Sequence, residues 1–590
     1  MRKVSNMTEY EGYSEEIYDG YFCTSQYFTM YDGCKIAVDI YRPTKNGVLH
    51  EEKLPIIWCA TQYKRSEIKP DGTKTNLEES AELWFYPGVP QKLIRYGYII
   101  AVVDMRGTGA SYGNGGLCTI TLQEYYDLYD LNEMLAALPY TNGKTGMFGM
   151  SYLGSMQWLC ALTCPPSLKC IVPNVAPMED PYLRTNGIDN YAWTHNVDEG
   201  LYDKNVLHPA APVDEDTDGS MLREAIEMHK NNPSAVKERY AATHFDDFMP
   251  YYGTKVMWEA FKGNFIHNIK NSDVACYIIE GLRDLLMTDC FDWYCTLTGP
   301  KRMAVGPWVH DGSKYSHEPY NFITEHLRWY DYWLKGIDNG IMDEDPLIMY
   351  NYGSDEWRTY DDKTFPLNGV KERCYHLQGT PSGTIDAVFD GSMTTRAPQD
   401  EKGSMTYEVD YSISKKGFED RNYYTVPGNP DYTDFDKKSV TFTTAPFAED
   451  TNVVGFPVFK LWISADTPVI DLYVTLEEID ENGVSTYLSD SKIRTSFRKT
   501  HIPAFEHMGL PFHRTFRADD KPMELNKPYL MDFAGYIMSN TIKAGHSLRL
   551  TINNCDKENW ITPEISPAPH VTVYFNTEYD SSVILPIMEK

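Results

Sequence analysis

The chain has no apolar run long enough to cross a membrane. Its N-terminus, residues 1–7, continues into acidic and tyrosine-rich sequence instead of the apolar core of a signal peptide. Positive charge is also scarce, because 54 Lys and Arg residues face 84 Asp and Glu residues, for a net charge of −30. These absences argue against a membrane protein, against export by a signal peptide, and against nucleic acid or anionic membrane surfaces as partners.

Cysteine is sparse, with 12 in 590 residues. Cys59, Cys160 and Cys276 lie inside apolar runs, which favours reduced core thiols over a disulfide framework and a cytoplasmic location over an extracellular one. Cys160, Cys164 and Cys170 are near neighbours without a CxxC pair, so a structural zinc site is disfavoured. A chain of this length exceeds one hydrophobic core and predicts two or three domains.

The most informative segment that is present is residues 145–154, where a short apolar run ends in a serine and a helical pattern starts at once. This is the pattern of a nucleophile elbow, a strained strand-to-helix turn that lifts a serine hydroxyl out of a sheet. Gly149 fits the usual motif, whereas the second glycine comes one place late, at Gly154, with Leu153 in its place. The segment predicts Ser151 as a nucleophile, and the alternative is an ordinary glycine-rich turn before a helix.

Two later strand-like segments each lead to a residue that could serve such a serine. Residues 274–280 run into Asp284, and residues 303–305 run into His310. Both residues therefore follow the carboxyl end of a predicted strand, where open α/β sheets gather their active sites. The order Ser, Asp, His is the one expected on an α/β-hydrolase sheet. The alternatives are a cap or turn residue for Asp284 and a hydrogen-bonded loop histidine for His310.

At this point the chain resembles a known family, the cocaine esterase and X-Pro dipeptidyl-peptidase group of serine hydrolases. The resemblance covers nearly the whole chain, and several ordered motifs are far more specific than any one of them. In this group the late glycine at 154 is usual. The motifs that carry the resemblance are residues 104–111, 149–154, 281–284, 306–310 and 326–336.

The resemblance implies a role for each matching residue. Ser151 becomes the nucleophile, His310 the general base and acid, and Asp284 the carboxylate that orients the histidine. The hydroxyl of Tyr63, which follows the strand candidate at 54–59, and the backbone N–H of Tyr152 become the donors of an oxyanion hole. The alternative for Tyr63 is a structural role, since the chain holds 44 tyrosines.

The continuously apolar run at 98–103 predicts a strand, and leucines at helical spacing predict a helix: Leu128, Leu131, Leu135 and Leu138. The order of strand-like and helix-like segments predicts an α/β fold. The expected architecture is an α/β-hydrolase domain at 1–178 and 271–345, interrupted by a polar, helix-rich segment at 179–270 and followed by short β-rich segments at 346–590. The resemblance implies that the interruption is a helical cap and that the last part is a jelly-roll β-sandwich.

The cap would lie over the catalytic edge and contribute to a substrate pocket. Its aromatic side chains are the candidates for this role, and the alternative for each is that it belongs to the cap's own core. The aromatic candidates in the cap are Tyr182, Tyr191, Trp193, Trp258 and Phe261. Asp180, also in the cap, and Trp308, which lies outside it, are the other pocket candidates.

The predicted reaction is acyl transfer from an ester or amide to Ser151 followed by hydrolysis, which needs no metal and no organic cofactor. Members of the family that recognise a free α-amino group use clustered carboxylates, and the amino acid ester hydrolases carry an acidic pair two and three residues after the triad aspartate. Here Leu286 and Met287 occupy those positions, and Glu179 and Asp180 are at most a partial remnant. A neutral acyl ester is therefore the expected substrate.

Two alternatives stay open. The first is an X-Pro dipeptidyl aminopeptidase or α-amino acid ester hydrolase, and the second is a catalytically silent binding or scaffold protein on the same fold. The expected partner is a small ester or amide, and a homodimer is an expectation from the resemblance alone.

Overall fold

The computed structural model of the protein describes most of the chain, which folds into two compact units. The first unit comprises Met1–Glu179, Asn196–Gly281 and Thr296–Pro346, and the second comprises Asp180–His195, Leu282–Cys295 and Leu347–Lys590. The residues described are 2–49, 51–79, 88–115, 120–178, 184–189, 203–208, 210–234, 237–238, 241–270, 272–284, 287–310, 319–414, 431–557 and 559–589.

Strands dominate the described residues. The strands up to residue 306 are β1 Val4–Ser5, β2 Tyr10–Glu11, β3 Gly20–Thr29, β4 Lys35–Lys45, β5 Val48–Leu49, β6 Leu54–Thr61, β7 Ile99–Asp104, β8 Thr141–Met150, β9 Leu168–Asn174, β10 Arg184–Thr185, β11 Ile188–Asp189, β12 Ala275–Gly281 and β13 Lys301–Gly306. The later strands are β14 Leu347–Asn351, β15 Glu356–Tyr360, β16 Val370–Gln378, β17 Phe389–Thr394, β18 Ser404–Glu408, β19 Val440–Thr444, β20 Thr451–Gly455, β21 Val458–Ala465, β22 Asp471–Ile479, β23 Ser485–Arg494, β24 Tyr529–Ala534, β25 Met538–Ile542, β26 Ser547–Asn553, β27 His570–Tyr574 and β28 Ser582–Met588.

Helices concentrate in the first 335 residues. They are α1 Val89–Arg95, α2 Leu122–Ala136, α3 Tyr152–Leu162, α4 Ser220–His229, α5 Val256–Glu259, α6 Ile266–Lys270, α7 Met287–Thr296, α8 Phe322–Lys335 and α9 Thr433–Asp436. A π-helical turn spans Asp203–Leu207, and short 3₁₀ turns span Lys262–Phe265, Thr495–Phe497 and Arg517–Asp519. None of the helices in the described ranges is both long and apolar enough to cross a membrane.

The first unit is built on a sheet in which the strands run in the order β13-β12-β9-β8-β6-β7-β4-β3, with β5 paired to β4. The pairs from β13 to β7 are parallel, and the pairs of β7 with β4 and of β4 with β3 are antiparallel. The parallel strands are apolar because helices cover both faces of such sheets. β7 and β12 are buried along their whole lengths, and α3 packs on β8 and β9.

The sequence predicted these elements. Strands expected at 54–59, 98–103, 274–280 and 303–305 are confirmed as β6, β7, β12 and β13, each within a few residues of the expected bounds. The helix expected from the leucine spacing is α2. It begins with a capping box in which the Thr121 hydroxyl accepts from the Gln123 N–H while Glu124 accepts from the Thr121 N–H. Leu138, the last leucine of that pattern, lies beyond the helix.

The helical cap at 179–270 stays a prediction. Its described residues in the first unit include the π turn, α4, α5, α6, a 3₁₀ turn, helical residues at 237, 238 and 241, and one isolated bridge between Met249 and Thr254. Residues 184–189 form the β10–β11 hairpin and are assigned to the second unit.

The second unit is rich in β-strands, as the short strand-like segments predict. Its large sheet follows the order β18-β27-β21-β28-β16-β17-β19-β26-β22-β23, with β20, β24 and β25 attached to the side, and β17 with β19 is its parallel pair. Its core is a continuous cluster of aliphatic and aromatic side chains, among them Leu461, Phe533, Leu550 and Val573. The jelly-roll topology within this β-rich unit stays a prediction.

Candidate active site

Ser151 lies in a sharp turn between a strand and a helix. β8 ends at Met150 and α3 begins at Tyr152, so a single residue connects them. Ser151 has φ 55° and ψ −120°, a backbone conformation that non-glycine residues rarely adopt and that costs on the order of 1–3 kcal/mol. The Ser151 N–H donates to the Asn174 carbonyl at 2.9 Å, which ties the turn to β9. The strand, turn and helix expected at the elbow are therefore confirmed.

This turn requires glycine at two positions, because the neighbouring atoms leave no room there for a side chain. Gly149 has φ 143°, and a Cβ there would lie 2.5 Å from the Leu153 Cβ. A Cβ on Gly154 would lie 2.7 Å from the Ala176 Cβ and 2.8 Å from the Asn174 carbonyl oxygen. The late glycine thus lies where α3 packs against the end of β9.

Gln157 also holds the elbow in place. Its buried side-chain amide donates to the carbonyls of Gly149 at 2.9 Å and Val172 at 3.0 Å, and its oxygen accepts from the Val172 N–H at 2.9 Å. One side chain on α3 therefore binds the ends of both β8 and β9. Sequence analysis missed it, because a glutamine inside a helical pattern carries no signal of where its amide points.

Tyr63 lies beside the elbow, on the loop that follows β6. Its ring packs edge-on against the ring of Tyr152, with 6.1 Å between centroids. Its backbone N–H donates to the Thr61 hydroxyl at 3.0 Å, and Tyr63 and Tyr152 are both partly exposed. The structure therefore brings together the two residues predicted to supply the oxyanion donors.

Asp284 and His310 follow two neighbouring strands. β12 and β13 are parallel, with Gly281 opposite Gly306 at their carboxyl ends. Asp284 comes three residues after β12 and is 1% exposed, and His310 comes four residues after β13 and is 4% exposed. Since parallel strands of one sheet share a carboxyl edge, β6, β8, β12 and β13 all end at the edge where the predicted site residues begin.

Trp308 packs over the ends of β12 and β13. A Cβ on Gly281 would lie 2.4 Å from the Trp308 carbonyl oxygen, and a Cβ on Gly306 would lie 2.4 Å from its indole ring. The indole is 2% exposed and contacts Tyr320 with 5.1 Å between centroids. The two glycines that precede the predicted aspartate and histidine thus make room for this tryptophan.

Of the other pocket candidates, the structure describes Trp258 and Phe261. Trp258 is 37% exposed, and its ring stacks on Phe261 with 6.2 Å between centroids and touches Phe245 at its edge. Several predicted residues lie outside the described residues: Glu179, Asp180, Tyr182, Tyr191, Trp193 and Leu286. Met287 begins α7, and its side chain is outside the described set as well.

Two family models match most of the chain. The X-Pro dipeptidyl-peptidase (S15 family) model matches residues 32–312, and the X-Pro dipeptidyl-peptidase C-terminal non-catalytic domain model matches residues 339–583. The chain belongs to the X-Pro dipeptidyl-peptidase and cocaine esterase family. This confirms the resemblance that the sequence motifs indicated, and members of the S15 family are hydrolases by name.

Relatives within this family carry different activities in their names. A Mycobacterium bovis protein provisionally named a serine esterase is 25% identical, over 97% of this chain and 96% of its own length. The cocaine esterase of a Rhodococcus strain is 21% identical, over 80% and 83%. The Xaa-Pro dipeptidyl-peptidase of Lactobacillus helveticus is 24% identical, over 85% and 65%.

Solved structures of the family share the fold. A CocE/NonD family hydrolase from Staphylococcus aureus superposes with a TM-score of 0.71 at 17% identity, covering 96% of this chain and 94% of its own. An α-amino acid ester hydrolase superposes with a TM-score of 0.70 at 18% identity, covering 97% and 98%. The fold is therefore of the α/β-hydrolase type with a β-rich C-terminal domain.

Proposed function

We propose that the chain is a serine hydrolase that cleaves the ester bond of a small acyl substrate through an acyl-enzyme on Ser151. The observation that carries the proposal is the strained Ser151 turn between β8 and α3, with the ring of Tyr63 packed against the residue that follows the serine. Ser151 is partly exposed at the carboxyl edge of the sheet, and a nucleophile must be accessible to its substrate.

The proposed reaction has two halves. The Ser151 Oγ forms a bond to the acyl carbon while His310 takes the hydroxyl proton, and Asp284 keeps the imidazole in the tautomer that can accept it. The Tyr63 hydroxyl and the Tyr152 N–H donate to the oxyanion. The bond between the acyl carbon and the alcohol oxygen then breaks, and His310 gives the proton to the leaving alcohol. In the second half His310 takes a proton from a water molecule, whose oxygen bonds to the acyl carbon. The bond to Ser151 Oγ breaks, the acid leaves, and His310 returns the proton to the serine.

A neutral acyl group is the proposed substrate class. Leu286 and Met287 stand two and three residues after Asp284, and apolar side chains there provide no charge partner for an ammonium group. The second candidate is an X-Pro dipeptidyl aminopeptidase, which is favoured by the two family models and by the name of the Lactobacillus relative. Amide cleavage would use the same residues.

The test compares wild type, Ser151→Ala and Ser155→Ala on a short-chain p-nitrophenyl ester and on a Gly-Pro anilide near neutral pH. Ser155 is the matched control, because it is a buried serine one helical turn further along α3. We expect Ser151→Ala to lose roughly 10⁴-fold or more of ester turnover, Ser155→Ala to keep it, and the anilide to be cleaved poorly throughout.

Other outcomes overturn the proposal in distinct ways. Fast Ser151-dependent anilide cleavage would assign the aminopeptidase activity, with carboxylates elsewhere holding the amino terminus. Loss of neither activity in Ser151→Ala would exclude Ser151 as the nucleophile. Absence of both activities in wild type, across a panel of acyl lengths, would favour the binding or scaffold alternative.

A further inference from the structure

A fully buried arginine lies two residues after Tyr63. Arg65 is 0% exposed, and its guanidinium donates hydrogen bonds to several groups of the first unit. Nε donates to Asp39 Oδ1 at 2.9 Å and Nη1 to Asp104 Oδ2 at 2.7 Å. Nη2 donates to the Ser25 hydroxyl and to the Ala211 carbonyl, both at 2.9 Å. The side chain therefore connects the Tyr63 loop to β3, β4, the end of β7 and the segment before α4.

Asp104 binds the backbone of the Tyr63 loop as well as the Arg65 guanidinium. Its Oδ1 accepts from the backbone N–H of Arg65 at 2.6 Å, and its Oδ2 accepts from the Ala110 N–H at 2.9 Å. The loop after β7 wraps so closely around this carboxylate that a Cβ on Gly109 would lie 2.1 Å from it. Both the backbone and the side chain of Arg65 are thus fixed to one buried group.

The charges of this cluster balance. Asp39 is 0% exposed and pairs with Lys74 at 2.8 Å as well as with Arg65, so two cations face the two carboxylates Asp39 and Asp104. Burial works to raise the pKa of Asp39, yet Arg65 and Lys74 hold it below its usual range. A buried ion pair is costly to break because the remaining charge stays uncompensated, so the arrangement is held rigidly.

Between Tyr63 and Arg65 the backbone is strained. Lys64 has φ 106°, which a residue with a side chain rarely adopts. Its Nζ donates to the His208 carbonyl at 3.0 Å and to Glu67 at 2.6 Å. Such a conformation persists only where the surroundings over-determine it, and here the contacts of Lys64 and Arg65 do so.

We propose that Arg65 is a positioning residue of the hydrolase: its ion pairs with Asp39 and Asp104 fix the strained turn that aims the Tyr63 hydroxyl at the oxyanion. The inference rests on the proposed function, in which Tyr63 is an oxyanion donor. Stabilisation of an oxyanion depends on donors held in advance at hydrogen-bond distance, so a small displacement of Tyr63 lowers kcat more than it alters substrate binding.

The kinetic test is a double-mutant cycle between Arg65→Lys and Tyr63→Phe on the p-nitrophenyl ester. Lysine keeps the charge but loses the planar fork that binds two carboxylates at once. We expect Arg65→Lys alone to lower kcat about tenfold with KM within about twofold, and to have little further effect when Tyr63 is already Phe. The same fold loss in both backgrounds, or a full kcat in Arg65→Lys, would overturn the proposal.

Two further variants distinguish a specific effect of Arg65 on kcat from a general loss of stability. Ser25→Ala removes one guanidinium partner without unpairing a charge, and we expect a smaller kcat loss in the same direction. Lys74→Met removes the other cation from Asp39 and leaves the bonds of Arg65 in place, and we expect kcat per active site to be unchanged when sites are counted with a covalent phosphonate. A kcat loss in Lys74→Met equal to that in Arg65→Lys would show a general stability effect instead.

A readout that needs no hydrolysis separates this proposal from the proposed function. Fluorotyrosine at position 63 should give one ¹⁹F signal that shifts or broadens in Arg65→Lys, whereas fluorotyrosine at the exposed Tyr31 should not change. A shift at position 63 without any Ser151-dependent hydrolysis would keep the loop assignment and reject the hydrolase. An unchanged position 63 signal would reject the role of Arg65 even in an active enzyme.

Discussion

The rings of Tyr63 and Tyr152 meet edge-to-face at an interplanar angle of 72°. Tyr152 is the first residue of α3 and Tyr63 follows the end of β6, so this contact joins a loop from one parallel strand to the turn after its neighbour in the sheet. The contact keeps the Tyr63 ring beside the elbow, and its hydroxyl is therefore the first group to test.

Tyr63→Phe should lower kcat for the ester by roughly 10²-fold, about 3 kcal/mol of transition-state stabilisation, with little change in KM. The ring and its contact with Tyr152 remain, so the loss isolates the hydroxyl. Tyr31→Phe is the control, because the Tyr31 hydroxyl bonds Gln123 on the exposed surface at 3.1 Å. Wild-type kcat in Tyr63→Phe would remove this residue from the oxyanion hole.

Asp284→Asn should lower kcat by roughly 10⁴-fold, the loss seen when the orienting carboxylate of a serine–histidine–aspartate triad is neutralised. Asp292→Asn is the matched control, since Asp292 is a buried carboxylate eight residues on that pairs with His507 at 2.9 Å. We expect the control to lower the unfolding temperature and keep kcat per active site. Equal kcat losses in both variants would argue for a structural role of Asp284.

Gly154→Ala should destabilise the first unit by about 1–3 kcal/mol and lower kcat, because the new Cβ overlaps backbone and side-chain atoms at the end of β9. Gly143→Ala, on β8, has φ 80° but no atom within 4 Å of its Cβ. It should cost about 1 kcal/mol through backbone strain alone and leave kcat unchanged. Thermal unfolding and kcat measured on both variants check the difference.

Glu124→Gln should change the pH dependence of stability. Burial raises the pKa of Glu124 from its ordinary 4.5 to about 7, so this group's stabilising contribution is complete below about pH 4.5 and is lost as the pH rises through 7. Glutamine does not titrate and can still accept from the Thr121 N–H. The variant should therefore gain on wild type by roughly 3 kcal/mol between pH 4.5 and pH 8.

Unfolding temperatures of wild type and Glu124→Gln at both pH values measure this gain. Leu122→Ala, at an exposed position of the same helix, is the control: neither side chain titrates, so its difference from wild type should not depend on pH. A constant difference for Glu124→Gln as well would contradict the prediction.

Local pattern was enough to predict the elements that present the site. The apolar runs of β6, β8, β12 and β13 and the glycines around Ser151 each act over a few residues, so they are visible in the sequence. Arg65 and Gln157 could not be predicted in the same way. Their partners, such as Asp39, Asp104 and Val172, become neighbours only when distant strands pair.

The role of Trp308 also cannot be predicted from the sequence alone. Trp308 is one of the pocket candidates, and its indole is 2% exposed and packs against Gly281 and Gly306, so its place in a pocket stays a prediction. Aromatic residues near a catalytic motif fit both a pocket and the packing beneath it, and only the packed neighbours distinguish the two.

The segment Leu282–Cys295, which holds Asp284, is assigned to the second compact unit, while Ser151 and His310 are assigned to the first. A gene truncated after Pro346 would encode all three residues of the proposed triad. It would lack Leu347–Lys590, the part of the chain with which the aspartate's segment forms one compact unit. Because the second unit is discontinuous in the sequence, no single cut of the chain separates its residues from those of the first unit.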